Sequence, residues 1–566
     1  MLRAQFVSFL LEKLTFAKLN FLASTDCLQR NADTAAYIFL SLPHNTRYNS
    51  VFDKKARKAS EDMAATAVEA KSPLILNEDS TGAPLGKDPK NPGRDNKVSR
   101  MGTASIPRLI TEFAIPAILG MVVNGAYNVV DSIFLGQALG EIGLSAATVA
   151  NPIMIVFMAI SMLIGNGGNA LAALRLGEGR RVDAEISLGN TVLLSVVVSA
   201  IVGIAALNPS FIDGLLTASS ATDEVRPYAH AFLQIICFGF IFQCIGMGVN
   251  NFIRTAGAPN RALVTMLIGL LVSLVFNYLF VIQMGWGVVG SAWATVIGQG
   301  ASCVAVLWYF VFTKNVPLKL HFRYMVPRLK VVGTIISLGF ASFAVQAGMA
   351  VVNFVINHLL VQYGALSPIG ADDALASIGV VQRVGMFTVL PLVGVAVAIQ
   401  PLLGFNYGAK LIDRVRKTLW YGIAGATAIG AIMWVLVHLF PEAIVGVFGI
   451  THAGLVDFTV FGLKMQLLML PLVGFQIVGA NYFQATGQPL KSIVLSLTRQ
   501  IIFLVPLLFV LPEVLPSILP QFTGLEALYF AMPLADFLSI FVTIIFIVIE
   551  MRRLKRLERG EVSSKF

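Results

Sequence analysis

The sequence predicts an all-α polytopic membrane protein: twelve transmembrane helices in two parallel six-helix repeats around a central cavity. Three observations predict it. The 566 residues are 56% hydrophobic and only 13% charged, with a mean hydropathy of +0.77, whereas soluble domains carry about 25% charged residues. Long apolar segments alternate with short polar connectors. The sequence also matches itself at an offset near 230 residues.

The apolar segments are centred near residues 121, 160, 196, 241, 272, 299, 346, 389, 427, 469, 501 and 538. Each is about 20 residues or longer, enough to cross about 30 Å of hydrocarbon as a helix. Pro116, Pro152, Pro391 and Pro471 fall inside them, and membrane helices tolerate such bends. The connectors check the count. Alternate ones are basic, with Arg175, Arg180 and Arg181, then Arg254 and Arg261, Lys314 to Lys330, Lys410 to Lys417, Lys491, and the tail "MRRLKRLER". The others carry only Arg226 beside Asp213, Asp223, Glu224, Asp372, Asp373, Glu442 and Glu513. By the positive-inside rule both termini are expected in the cytoplasm. The net charge of +10 is thus a topology signal, and no nucleic-acid partner is expected.

Residues 1–100 differ in kind, with 15 Lys/Arg and 11 Asp/Glu. Such a composition buries too little apolar surface to fold. Residues 1–104 are expected as a poorly structured cytoplasmic extension, or as text upstream of a true start at Met63 or Met101; both readings stay open. The remaining boundaries are 105–315 for the first six-helix lobe, 316–330 for a basic linker, 331–550 for the second lobe and 551–566 for a basic tail.

The repeat is carried by "FIRTAGAPNRALV" from Phe252 and "YFQATGQPLKSIV" from Tyr482, which align Gly257 with Gly487, Pro259 with Pro489 and Arg261 with Lys491. The same offset takes Asp183 onto Asp413. Six spans return the chain to its starting side, so the units are parallel, an architecture of secondary transporters.

Polar residues then mark candidate sites. In "NGAYNVVDSIFLG", Asn124, Asn128 and Asp131 fall at i, i+4 and i+7 on one helix face with Tyr127 beside them. A carboxylate in the bilayer costs roughly 2.5–3.5 kcal/mol on insertion scales, so this face is expected to look into the bundle or a watery cavity. Gln243 and Asn250 share a face of the fourth span. Ser291, Thr295, Gln299 and Ser302 line the sixth, and Gln346, Asn353 and Asn357 the seventh. For single Ser, Thr, Asn or Gln residues the plainer reading is helix-to-helix hydrogen bonding. Asp131 is a costly glue where Asn would serve, which favours function there. Arg383 and Asp536 have structural readings as ion-pair or snorkelling residues.

Enzyme motifs are absent: there is no HExxH, GxSxG or GxxxxGK[ST]. "GNGGNA", Gly165–Ala170, follows no predicted strand and reads as small residues for close helix approach. The four cysteines lack metal-ligand spacing. No enzyme, cofactor or metal site is expected, and the work is expected to come from an ion gradient.

"IPAILGMVVNGAYNVVDSIFLGQALG", "ISMLIGNGGNALAALRLGEG", "MGWGVVGSAWATVIGQ" and "IQPLLGFNYGA" resemble the multidrug and toxic compound extrusion (MATE) family, in its MepA-like bacterial branch, over about residues 105–550. The resemblance implies antiport of cationic or amphipathic xenobiotics against H⁺ or Na⁺ by a protein in the bacterial inner membrane, functional as a monomer and in contact with membrane lipid. It also implies that Asp131 is the carboxylate taking the coupling ion, with Thr295 and the fifth-span pair Ser273 and Asn277 around it. That pair departs from relatives carrying Asn and Asp there, so the second acid is missing. A lone Asp131 suits H⁺, while Na⁺ at Asp131 is the alternative. Asn250, Asn353, Met247 and Met349, with Tyr127, Gln243 and Gln346, are expected to line the substrate cavity. A flippase or an exporter of an endogenous lipid-linked compound or metabolite is the rival reading. It would want more intramembrane cations than Arg383 and Lys464.

Overall fold

The computed structural model describes residues 92–219, 225–314, 316–367, 369–448, 453–559 and 561. Among these, the side chains of 92–97, 128–132, 135–145, 147–148, 218, 371–372 and 453 lie outside the description.

Every regular element among the described residues is helical. Eleven helices are long and apolar enough to cross a membrane, and a bent pair, Gly454–Gln466 with Leu470–Ala485, makes a twelfth span kinked by 43°. The first lobe contributes Ile106–Tyr127, Val149–Gly177, Arg181–Ala205, Arg226–Thr255, Pro259–Gln283 and Gly287–Phe312. The second contributes Leu329–Gly364, Asp373–Gly408, Ile412–Leu439, the bent pair, Pro489–Ile518 and Gly524–Glu558. The twelve-span, all-helical expectation is met. Spans are numbered one to twelve in this order.

The first two spans belong to one helical stretch, Ile106–Gly177. Its two ends meet at the same place. Asn406 donates to the Met101 carbonyl at 3.2 Å, just before the stretch begins, and Gly177 at its end abuts Phe405. The stretch therefore doubles back on itself between the two spans.

The repeat is visible in backbone geometry. Gly257 and Gly487 both take a positive φ, 75° and 73°. Each closes a helix by the same pair of bonds: Gly257 to the Arg254 carbonyl and Ala258 to Ile253, matched by Gly487 to Gln484 and Gln488 to Phe483. This is the Schellman arrangement, and glycine fits its left-handed residue without a Cβ penalty. Proline then opens the next helix at Pro259 and Pro489, where its missing N–H costs nothing. At the other repeated loop the register moves by one. Gly179 and Lys410, φ 76° and 59°, are the equivalent residues, closed by Arg180 to Arg175 and Leu411 to Asn406. Asp413 therefore corresponds to Val182 rather than Asp183, correcting the alignment at that point. Both acids still sit in a first helical turn, and each pairs with a nearby arginine, Asp183 with Arg180 at 2.6 Å and Asp413 with Arg416 at 2.8 Å.

Order begins earlier than the composition boundary suggests. Pro92–Thr103 is helical, with Val98 and Met101 buried, and Arg414 caps it by donating to the Met101 and Ala104 carbonyls at 3.0 and 2.7 Å. The interlobe linker is tied to the third span. Arg181 donates to the Val316 carbonyl at 3.1 Å, the Lys319 N–H to Glu185 at 3.1 Å, and the Arg328 N–H to Asn190 at 3.0 Å. Leu318 is fully buried there, so the basic segment is a strap rather than a free tether.

Candidate functional site

The first lobe gathers the proposed ion-site residues of the fifth and sixth spans. Ser273, Asn277 and Thr295 are all buried. Asn277 donates to the carbonyl and hydroxyl of Ser273, one turn back, at 3.1 and 3.3 Å. Glycines bring the two spans together: a Cβ on Gly298 would stand 2.6 Å from that of Ser273, and one on Gly269 would stand 2.6 Å from the Tyr127 hydroxyl. Tyr127 of the first span therefore reaches the fifth and sixth at this point. Asn124, one turn before Asn128, is half-buried. The Asn128 and Asp131 side chains lie outside the described residues, and the backbone through both is helical. Buried side-chain oxygens of this kind can serve a proton or a hard monovalent cation beside a carboxylate.

The residues expected to line a cavity separate into two groups. Gln243, Met247, Gln346 and Asn353 are half-buried and Met349 is 47% exposed, so all five are accessible. Asn250 is not. Its amide donates to the Ala262 carbonyl at 3.0 Å and the Thr265 hydroxyl at 2.7 Å, which fastens the fourth span to the fifth and leaves 3% of the residue exposed. Helical spacing gave no sign that a neighbouring helix covers it.

A second polar constellation joins the two lobes, and sequence reasoning missed its hubs. Within "GNGGNA" each glycine is a close-approach point: side chains would strike Gly248 from Gly165, Ile335 from Gly167 and Thr191 from Gly168. The small-residue reading holds for these three. The two asparagines between them carry the network. Asn166 accepts from Asn251 at 2.8 Å and donates to Ser342 across the lobe boundary at 3.0 Å. Asn169 accepts from Thr255 at 2.6 Å and donates to Gln400 at 3.4 Å. Gln484 closes the set by donating to Ser342 at 3.1 Å and to the Leu338 carbonyl at 2.8 Å. Arg254, fully enclosed, donates to Asn251 and lies against Met266 and Gly120 of the first span. Arg254 and Gln484 are equivalent in the repeat, one cationic and one neutral. The signal lay in "NFIRT", an arginine one turn inside the Schellman glycine and too deep to be a loop charge.

Two further buried acids are held in ion pairs. Asp536 binds Arg499 at 2.6 Å, a partner 37 residues away in the eleventh span. Glu550 binds Lys491 at 2.7 Å and Arg553 at 3.2 Å and accepts from Gln488 at 2.8 Å. Arg383 is exposed.

Two six-span lobes, joined where the second, seventh and eighth spans meet and carrying polar groups in their helix interiors, define a membrane transporter of the parallel-repeat class. The MatE family model matches residues 116–279 and 338–510. The chain belongs to the MatE family, the multidrug and toxic compound extrusion family that its sequence resembles, and is a multi-pass membrane protein. It is similar to the multidrug export protein MepA of Staphylococcus haemolyticus strain JCSC1435, 24% identical over 418 residues, covering 74% of this chain and 90% of the relative. Among solved structures it is similar to the MATE multidrug transporter DinF-BH in complex with rhodamine 6G, at 34% identity and a TM-score of 0.71, over 79% of this chain and 96% of that one. An outward-facing multidrug resistance MATE transporter shares the fold at a TM-score of 0.73 and 21% identity, over 81% and 98% of the two chains.

Proposed function

We propose that this protein is a secondary active efflux antiporter of the plasma membrane. In this reading it exports cationic or amphipathic compounds in exchange for H⁺, with Na⁺ as the alternative ion, and both termini are cytoplasmic. The observation that carries the reading is the buried Ser273–Asn277–Thr295 cluster, which Tyr127 of the first span reaches at Gly269. The relative solved with rhodamine 6G supports the substrate class.

The chemistry follows from desolvation. Asp131 is costly as an anion in a low-dielectric lobe, and taking up an ion removes that cost. The first span can then repack about Asn124 and Asn128, and the narrowed cavity expels its occupant. An ion that favours one packing over the other shifts the population between them. One charge crossing 100 mV supplies about 2.3 kcal/mol.

The test is rhodamine 6G efflux from proteoliposomes with an imposed pH or Na⁺ gradient, comparing the parent with Asp131→Asn. Gradient-driven efflux should vanish in the variant while binding of the dye persists. Coupled export at the parent rate would overturn the assignment.

A further inference from the structure

On the outer face of the second lobe, the ninth, tenth and twelfth spans enclose a groove of about 260 Å³. Trp420 and Phe475 form one wall, and Ile544, Val548 and Met551 of the twelfth span form the other. Arg552 and Lys555 complete the lining at one end. These twelfth-span positions fall at i, i+4, i+7, i+8 and i+11, a single helix face. Eleven residues at 1.5 Å each span about 16 Å, so the face runs from pure hydrocarbon to fixed positive charge over about one leaflet. Trp420, Ile544 and Val548 are 49%, 45% and 45% exposed, and among the described residues no element covers them.

Most of the acids around the two cations are already paired with other bases. Glu550 is taken by Lys491 and Arg553, Asp413 by Arg416 and Lys417, Glu558 by Arg416, and Glu561 by Arg559. Among the described residues, Arg552 and Lys555 form no ion pair or hydrogen bond through their side chains, and both are exposed. They stand where an apolar groove reaches the membrane surface. Trp420 beside them is the residue type that anchors at that boundary.

We propose that this groove binds an anionic glycerophospholipid, with the phosphate between Arg552 and Lys555 and an acyl chain along Trp420, Phe475, Ile544 and Val548. Basic pockets between spans at this depth recognise acidic head groups. A zwitterionic head group brings its own cation to the same place and gains less. Free phosphate has no chain to fill the apolar wall. The site is remote from the first-lobe cluster, and the inference does not depend on the transport reading.

The experiment is native mass spectrometry of the full-length protein, delipidated and titrated separately with phosphatidylglycerol and phosphatidylcholine. The parent should retain phosphatidylglycerol in preference. Arg552→Gln/Lys555→Gln should lower that retention about tenfold or more and leave phosphatidylcholine unchanged. Lys314→Gln/Lys330→Gln, which removes the same charge elsewhere, should not alter the preference. Val548→Trp, a lipid-facing change that keeps both cations, should also abolish retention by filling the groove, and it decides the matter if the double variant does not fold. Full preference in Arg552→Gln/Lys555→Gln or Val548→Trp, an equal loss in the control, or displacement of the lipid by inorganic phosphate would each overturn the site.

Discussion

Gly177 and Gly408 face each other's helices reciprocally: a side chain on Gly177 would strike the Phe405 carbonyl, and one on Gly408 would strike the Leu174 carbonyl. Leu174 and Phe405 are 231 residues apart, as are the two glycines, so the contact has the pseudo-two-fold symmetry of the repeat. Each glycine is also the last residue of its span, so both spans end on the same side. That is the geometric content of a parallel duplication.

This contact predicts how the lobes tolerate bulk. Gly177→Val or Gly408→Val forces the second and eighth spans apart and should cost about 1–3 kcal/mol or more, as overpacking does. Tryptophan-fluorescence melting in detergent reads it as a lower Tm. Because one crossing is damaged in both variants, the double variant should fall short of the sum of the singles. Unchanged melting in either single variant would show that the crossing gives way without strain.

The Asn169–Gln400 bond joins the lobes beside this crossing. Removing either amide leaves its buried partner short of a hydrogen bond, a cost of about 1–3 kcal/mol. A double-mutant cycle with Asn169→Ala and Gln400→Ala should return a coupling of about 0.6–2 kcal/mol, the range of polar pairs between membrane helices. A zero coupling energy would remove this pair from the interlobe network.

Much of this architecture was legible in the chain because apolar length and charge alternation are local properties. Twelve spans follow from segments of sufficient length, and the duplication from two glycines whose backbone angle few other residues adopt. Register at the second loop was not legible, because Asp183 and Asp413 match by identity while the hydrogen bonds place Gly179 opposite Lys410. The site was legible as faces but not as partners. Spacing put Asn250 on a polar stripe, yet Thr265 covers it. Arg254 was read as a connector charge although it is buried inside the fourth span, and Asn166, Asn169 and Arg499 escaped notice, because their roles depend on residues in other helices, Gln400 lying 231 positions from Asn169.

Lys410 is the one described non-glycine residue with a positive φ, 59°, where its repeat counterpart is Gly179. An L side chain in that region costs about 1–2 kcal/mol. Glycine would relieve this but lose more chain entropy on folding, about 0.5–1 kcal/mol. Lys410→Gly should therefore stabilise the protein by several tenths of a kcal/mol to about 1 kcal/mol, read as a raised Tm, and Gly179→Ala should do the reverse. A fall in Tm for Lys410→Gly would mean that the lysine side chain contributes more than the strain it imposes.

The Arg499–Asp536 pair is buried mainly on the acid's side, at 28% and 4% side-chain exposure. Breaking such a pair strands a charge and costs about 3–5 kcal/mol, whereas replacing both members can be near neutral. Arg499→Met alone should sharply reduce the folded fraction, and Arg499→Met/Asp536→Leu should recover most of it. Size-exclusion profiles and melting curves report both. If the double variant is as unstable as the single one, the pair is more than an isolated structural bond.

Asn277 occupies the place where the family resemblance implies a second acid, and its amide is held by Ser273. Asn277→Asp would put a carboxylate in the buried cluster with Ser273 and Thr295, in the lobe proposed to carry Asp131. Two carboxylates and several neutral oxygens suit Na⁺ better than one acid does, because hard cations gain from added oxygen ligands and charge. In the H⁺ reading, rhodamine 6G efflux by the parent follows the pH gradient and is indifferent to Na⁺. The variant should acquire Na⁺ stimulation, and its pH optimum should rise because like charges lift carboxyl pKa values. If the parent is already driven by Na⁺ alone, Asn277 already serves as a neutral ligand and the H⁺ reading fails. If the variant stays insensitive to Na⁺ and keeps its pH profile, Asn277 lies outside the ion's reach and serves only to tie the fifth span to itself.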